Sequence, residues 1–188
     1  MEASAGPSDV RPPEQLDGAD LVLLFLYAPT KARRLKDRVP GITRLEKLLY
    51  LVDRETSAPS HATEWFTFEP YDYGPYSKGV YEAVELLEAA GLLREEAVPS
   101  RERLDAAQQR ILGVEDLEGI ERRFYLTDEG RDVAALLAGR VAPALLKDLG
   151  RIKDTYGHMP LHRLIRYVYT TYPDSAARSK IRRGVMGD

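Results

Sequence analysis

The fold turns on the stretch FEPYDYGPYSKGVYEAVELLEAAGLL, Phe68 to Leu93, which reads as a strand, a tight turn, a helix and the start of a second strand. At Gly74-Pro75 a glycine that tolerates unusual backbone angles precedes a proline that fixes its own, so the extended run Phe66 to Tyr73 must turn there. Ser77 is placed to cap the helix that follows. Val80, Val84 and Leu87 recur at helical spacing, with Ala83 and Leu86 widening the apolar face until Gly91 stops the helix. The predicted helix, residues 77–90, carries Glu82, Glu85 and Glu88 on its other side.

Working outward, a chain of 188 residues with 44% apolar composition suffices for one sizeable core. The absence of cysteine removes disulfides, thiolate zinc sites and cysteine nucleophiles together, and it fits a reducing cytoplasm, which is the expected location. A formal charge of −3 excludes a wholly basic coat protein yet permits local patches. Residues 1–16, rich in Pro, Ala and acidic groups, read as a disordered tail without the basic start and apolar core of a secretory signal. Leu21 to Ala28 is apolar all round but far too short to span a membrane. It predicts a buried helix capped by Asp17 and ending near Pro29.

Thr43 to Glu46 has capping-box form, which starts a second helix there. Ile42, Leu45, Leu48, Leu49 and Val52 form its core stripe, leaving Arg44, Lys47 and Arg54 towards solvent. Lys31 to Arg54 holds eight basic residues against three acidic ones, a first basic patch. Beyond the central stretch, Leu92 to Val98 and Ile120 to Leu126 predict a hairpin whose long connection holds a short helix, an elongated wing with an insertion at 99–119. Thr127 caps the helix begun by Asp128 and Glu129. Pro143 and Pro160 each open a further helix at a position that tolerates proline, and Tyr172-Pro173-Asp174 breaks the last. Arg163 to Arg183 is a second basic patch, six basic residues against one acidic. The expected class is mostly α with a small β-hairpin. A domain at 17–140 carries a helical pair, 141–174, on the same core, and residues 175–188 form a basic, flexible tail.

KLLYLVDRE, residues 47–55, followed by FTFEPYDYGPYSKGVYEAVELLEAAGLL is similar to the Panacea domain of SocA-like antitoxins, in which a KLLY-type helix precedes an F-x(n)-YGPYS-x-x-VY signature. The likeness covers roughly Ile42 to Leu93, about a quarter of the chain. YLTDEGR, residues 125–131, resembles winged-helix regulators as well. The resemblance implies a winged-helix-like, non-enzymatic fold used for toxin neutralisation, adaptor work or transcriptional control.

The residues themselves offer no catalytic constellation. GPYSKG lacks the glycines and lysine of a phosphate loop. His158 and His162 flank the start of a helix and have no carboxylate at ligand spacing. Glu95 and Glu96 sit on a strand, where neighbours face opposite ways and share no proton. No serine sits in a nucleophile elbow. The expectation is therefore a binding protein with no catalytic residue, cofactor or metal.

Two partner classes follow. A protein partner, a toxin or a regulatory target, would meet Tyr71, Tyr73, Tyr76, Lys78, Glu82, Glu85 and Glu88, although tyrosines beside a turn more often lay a ring on the core and keep the hydroxyl wet. DNA is the alternative. It requires the basic residues Arg33, Arg34, Lys36, Arg44, Lys47 and Arg123, because glutamates on helix 77–90 oppose phosphates. The oligomeric state stays open.

Overall fold

The computed structural model of the chain describes residues 16–56, 65–71, 74–99 and 120–176. Its elements, in order, are α1 (Gly18–Tyr27), β1 (Arg38–Pro40), α2 (Ile42–Glu55), β2 (Glu69–Tyr71), β3 (Gly74–Tyr76), α3 (Lys78–Ala89), β4 (Leu93–Pro99), β5 (Ile120–Leu126), α4 (Asp128–Ala138), α5 (Pro143–Tyr156) and α6 (Leu161–Thr171). The result is mostly helical with small antiparallel sheets, the α+β class expected.

α1 is buried on every side because it is apolar on every side. Asp17 and Asp20 close a reciprocal cap at its start, and Leu21 through Leu26 are all buried. α3, α4, α5 and β5 pack around it. Its far end is capped from another helix: the buried Lys153 Nζ of α5 donates to Leu26 O at 2.6 Å and Ala28 O at 3.1 Å, carbonyls that the end of a helix leaves open.

The larger sheet runs in the order β1-β5-β4, with Val39 opposite Phe124 and Leu93 opposite Leu126. β4 and β5 form the expected hairpin. β1 was not expected: three residues carrying one apolar side chain show no period, and the strand exists because Val39 is buried beside β5. The turn expected at Gly74-Pro75 is displaced: the strand before it is only Glu69–Tyr71, and Gly74 and Pro75 lie in β3, Tyr71 opposite Gly74 and Pro70 opposite Pro75, because antiparallel pairing with β2 draws them into a strand and puts the reversal between Tyr71 and Gly74. Gly74 has φ +98°, and a Cβ there would lie 2.6 Å from Tyr169 Cε1, so the position needs glycine for both backbone angle and space. Gly130 serves close packing alone, since a Cβ would strike the carbonyl of Leu92. Thr127 caps α4 as expected, its Oγ1 accepting from Gly130 N at 2.9 Å.

α2 departs most from expectation. It starts at Ile42 with Gly41 as cap residue, and no capping box forms, because the Glu46 carboxylate is taken by other partners. Arg44 and Lys47, expected in solvent, are buried, within an unbroken buried run from Arg44 to Val52. The physical reason is encirclement: α5, α6, β1 and β3 pack on this helix and supply polar partners to the side chains they cover. Other differences are smaller. Leu86, expected on the apolar face of α3, is exposed; Ser77 precedes α3 without a side-chain cap bond; and Pro160 is the cap residue of α6 rather than its first helical residue. Leu16 and Ser175, assigned to the tails, are buried. Residues 1–15 and 177–188, and the helix expected within 99–119, lie outside the described residues.

Candidate binding surfaces

Beneath the GPYS segment, where β3 leads round into α3, lies a buried ionic cluster. Lys47 Nζ donates to Glu46 Oε2 at 2.6 Å and to Pro75 O at 2.7 Å, while Ser77 N donates to Glu46 Oε1 at 2.9 Å. Burial pulls the Lys47 ammonium below its ordinary range, and the Glu46 carboxylate works against that shift. Both charges thus fasten the segment to α2. Lys47 cannot touch a nucleic acid from this position.

The β2–β3 hairpin so held presents, with the first turn of α3, a ladder of tyrosines. The Tyr71 and Tyr76 rings are 5.0 Å apart between centroids, and Tyr76 and Tyr81 5.4 Å, each pair tilted. Tyr71 is 53% exposed, while Tyr76 and Tyr81 are half-buried. Burial, with Glu46 and Tyr76 close by, holds the Tyr81 phenol protonated well above its ordinary range. Tyr73 lies outside the described residues. Along α3, Lys78 Nζ pairs with Glu82 Oε1 at 2.6 Å, and Glu82, Glu85 and Leu86 are exposed. Glu88 is half-buried, and burial, then the neighbouring Glu95 and Glu85, raises its carboxyl. Ladder, acidic helix face and exposed leucine lie close together along the chain.

The basic residues gather elsewhere. A cleft of about 660 Å³ is lined by Lys31, Arg33, Arg34, Arg38, Arg44 and Arg123, with Glu121 and His158 and the backbone of the α5–α6 connection. Four of the six nucleic-acid candidates therefore share one wall-to-wall site: Arg33, Arg34, Arg44 and Arg123. Lys36 is exposed but does not line the cleft, and Lys47 is under the GPYS segment. Lys31 and Arg38 belong to the same basic run and could have been singled out from it. His158 could not, since only the approach of the α5–α6 connection to the first basic run brings it there.

The cleft loop is held firmly. Asp154 Oδ1 accepts from Thr30 Oγ1 at 2.6 Å and from Lys31 N at 2.9 Å, and Leu35 is buried beneath the loop. Burial disfavours the Asp154 carboxylate, but those donors and Lys31 outweigh it and draw the group below its usual range. Arg38 Nε donates to Arg34 O at 2.6 Å, closing the single 3-10 turn Arg33–Leu35. Arg44 donates to the carbonyls of Gly157 and Met159, tying the inner wall to the α5–α6 connection. Of the second basic patch, Arg163 and Arg166 stand exposed on α6, and 178–183 lie outside the described residues.

A third polar cluster closes the helical bundle. The Glu55 carboxylate accepts from Tyr156 at 2.6 Å, Tyr167 at 2.8 Å and Tyr172 at 3.1 Å, joining α2 to α5, α6 and the chain just after α6. Burial and the Glu55 contact keep the Tyr156 and Tyr172 phenols protonated far above their ordinary range. Every donor there is spent on the carboxylate or on the Tyr156–Tyr167 contact, which makes the cluster a fastening.

Among the described residues no three His, Cys, Asp or Glu side chains are placed to hold a metal, and no helix is long and apolar enough to cross a membrane. The chain matches no family model, no curated protein and no solved structure.

Proposed function

We propose that the chain is a cytoplasmic, non-catalytic regulatory binding protein of the SocA-like kind, which engages a protein partner through the tyrosine ladder and the acidic face of α3. One observation carries this reading: two buried charges, Glu46 and Lys47, are used to fix the β2–β3 hairpin, which displays Tyr71 and Tyr76 beside exposed Glu82, Glu85 and Leu86. Tyrosines give large, rigid contact area and rank among the side chains that dominate protein interfaces, with a charged rim setting the choice of partner. The order α1, β1, α2, α3, β4, β5, interrupted between α2 and α3 by the small β2–β3 hairpin, with its sheet order β1-β5-β4, supports the winged-helix-like part of the resemblance. A transcription regulator that reads duplex DNA with α3 is disfavoured, because that helix offers glutamates and a lysine already paired with Glu82.

The test is purification of the full chain from its own cells, identification of the protein that travels with it, and measurement of that affinity in variants. Tyr71→Ala combined with Glu85→Gln should weaken binding by on the order of thirtyfold, the loss of one interface hot spot. Arg33→Ala with Arg34→Ala should leave it unchanged. A partner indifferent to the first pair and lost with the second would refute the assignment of this face.

A further inference from the structure

We infer that the cleft formed by the loop 31–38, β5 and the α5–α6 connection is a binding site for a compact polyphosphate, a ligand presenting two or three linked phosphate groups. Six cationic side chains, Lys31, Arg33, Arg34, Arg38, Arg44 and Arg123, line the recess, and Glu121 is the one carboxylate lining it among the described residues. Glu121 is already paired with Arg123 at 2.6 Å. Six cations less one carboxylate leave a formal excess of five positive charges along the lining. Gathering like charges disfavours the compact state unless an anion enters. A phosphate monoester carries about two negative charges and each further linked phosphate adds roughly one, so a single phosphate falls well short of the excess and two or three linked phosphates come closer to it.

Shape and chemistry narrow the ligand further. Five of the six cations are arginines, whose planar forks pair with phosphate oxygens two at a time. The cleft, at about 660 Å³, has the size of a small-molecule site rather than of a track for an extended strand. His158 is the one aromatic ring lining it among the described residues, and no Phe, Tyr or Trp does, so the lining is dominated by phosphate-binding cations rather than by stacking platforms. The cations are also set in advance. Asp154 anchors the loop at Thr30 and Lys31, and Arg38 holds the Arg33 to Leu35 turn by its carbonyls, which cuts the ordering cost of binding. None of these residues belongs to the tyrosine ladder or α3, so this site stands or falls independently of the protein-partner reading.

The experiment is calorimetric titration of the full chain with inorganic tripolyphosphate, with sodium chloride matching the ionic strength, beside thermal melts of the same samples. Saturable binding with a raised melting midpoint is expected, since a ligand that binds only the folded state stabilises it. Arg33→Ala and Arg34→Ala, both at exposed positions, should each weaken binding by on the order of tenfold without lowering the ligand-free midpoint. Arg163→Ala with Arg166→Ala removes two exposed charges outside the cleft and should leave binding unchanged. Absence of saturable binding, or equal losses in the cleft and α6 variants, would overturn the site. Random-sequence duplex DNA supplies the second arm: if duplex binds through Arg33 and Arg34 while tripolyphosphate neither binds nor competes, the compact ligand is wrong and a phosphodiester backbone occupies the cleft.

Discussion

Replacing Lys47 by methionine tests whether buried charge holds the GPYS segment, where β3 turns into α3. The substitution keeps the length of the apolar stem but deletes both Nζ bonds, to Glu46 at 2.6 Å and to Pro75 O at 2.7 Å. Glu46 is then a buried carboxylate with Ser77 N as its remaining donor among these partners. Breaking a buried pair by removing one partner costs about 3–5 kcal/mol, most of it the price of an uncompensated charge. For a chain of this size that corresponds to a melting midpoint lowered by roughly 6–20 °C. Adding Glu46→Gln removes the stranded charge while keeping an acceptor for Ser77 N, so the double variant should lose only about 1–3 kcal/mol, for the orphaned Pro75 carbonyl. The ordering is the test: urea unfolding should rank wild type above the double variant and the double variant above Lys47→Met. A Lys47→Met loss below about 1 kcal/mol, or a double variant less stable than the single one, would mean that water shares the pair, and the account of this segment would fail.

The remaining predictions concern titration and the start of β3. Burial lowers Lys153 from 10.5 to about 8, so between those values the unfolded chain binds the proton that the folded one has released; stability should rise with pH across that window, by at most about 3 kcal/mol from this residue. Lys47 shifts in the same direction, whereas Tyr81, Tyr156 and Tyr172, held protonated when folded, take stability away above about pH 10, where unfolded tyrosines ionise. Denaturation series should therefore show a gain from pH 8 towards 10 that is smaller in Lys153→Met; a flat wild-type profile would show that Lys153 is solvated. Gly74→Val should cost about 2–4 kcal/mol, from the positive φ and from overlap with Tyr169, and an unchanged thermal midpoint would refute the geometry at the start of β3.

The chain by itself determined what depends on neighbours within a few residues. The apolar run of α1 with its Asp17 cap, the stripe Val80, Val84 and Leu87, the Thr127 cap and the Pro143 start are all local signals, and each appears where its spacing places it; at Gly74 the unusual backbone angle is present, but the turn is not, because pairing with β2 makes Gly74 and Pro75 part of a strand. The tertiary structure decided whatever depends on distant partners. β1 has a single buried apolar side chain and exists through β5. Arg44 and Lys47 occupy helix positions that periodicity assigns to solvent, yet the α5–α6 connection and the GPYS segment cover them and accept their bonds, and Glu46, expected to cap its own helix, accepts instead from Lys47 and from Ser77 N. The same physics separated the basic candidates. A run of cations records how many charges lie near one another along the chain, but which of them share a cleft is set by packing: Arg123 arrives on β5 and His158 from the end of α5, while Lys47, within the same run, turns inward because burial with a carboxylate and a carbonyl satisfies its charge there.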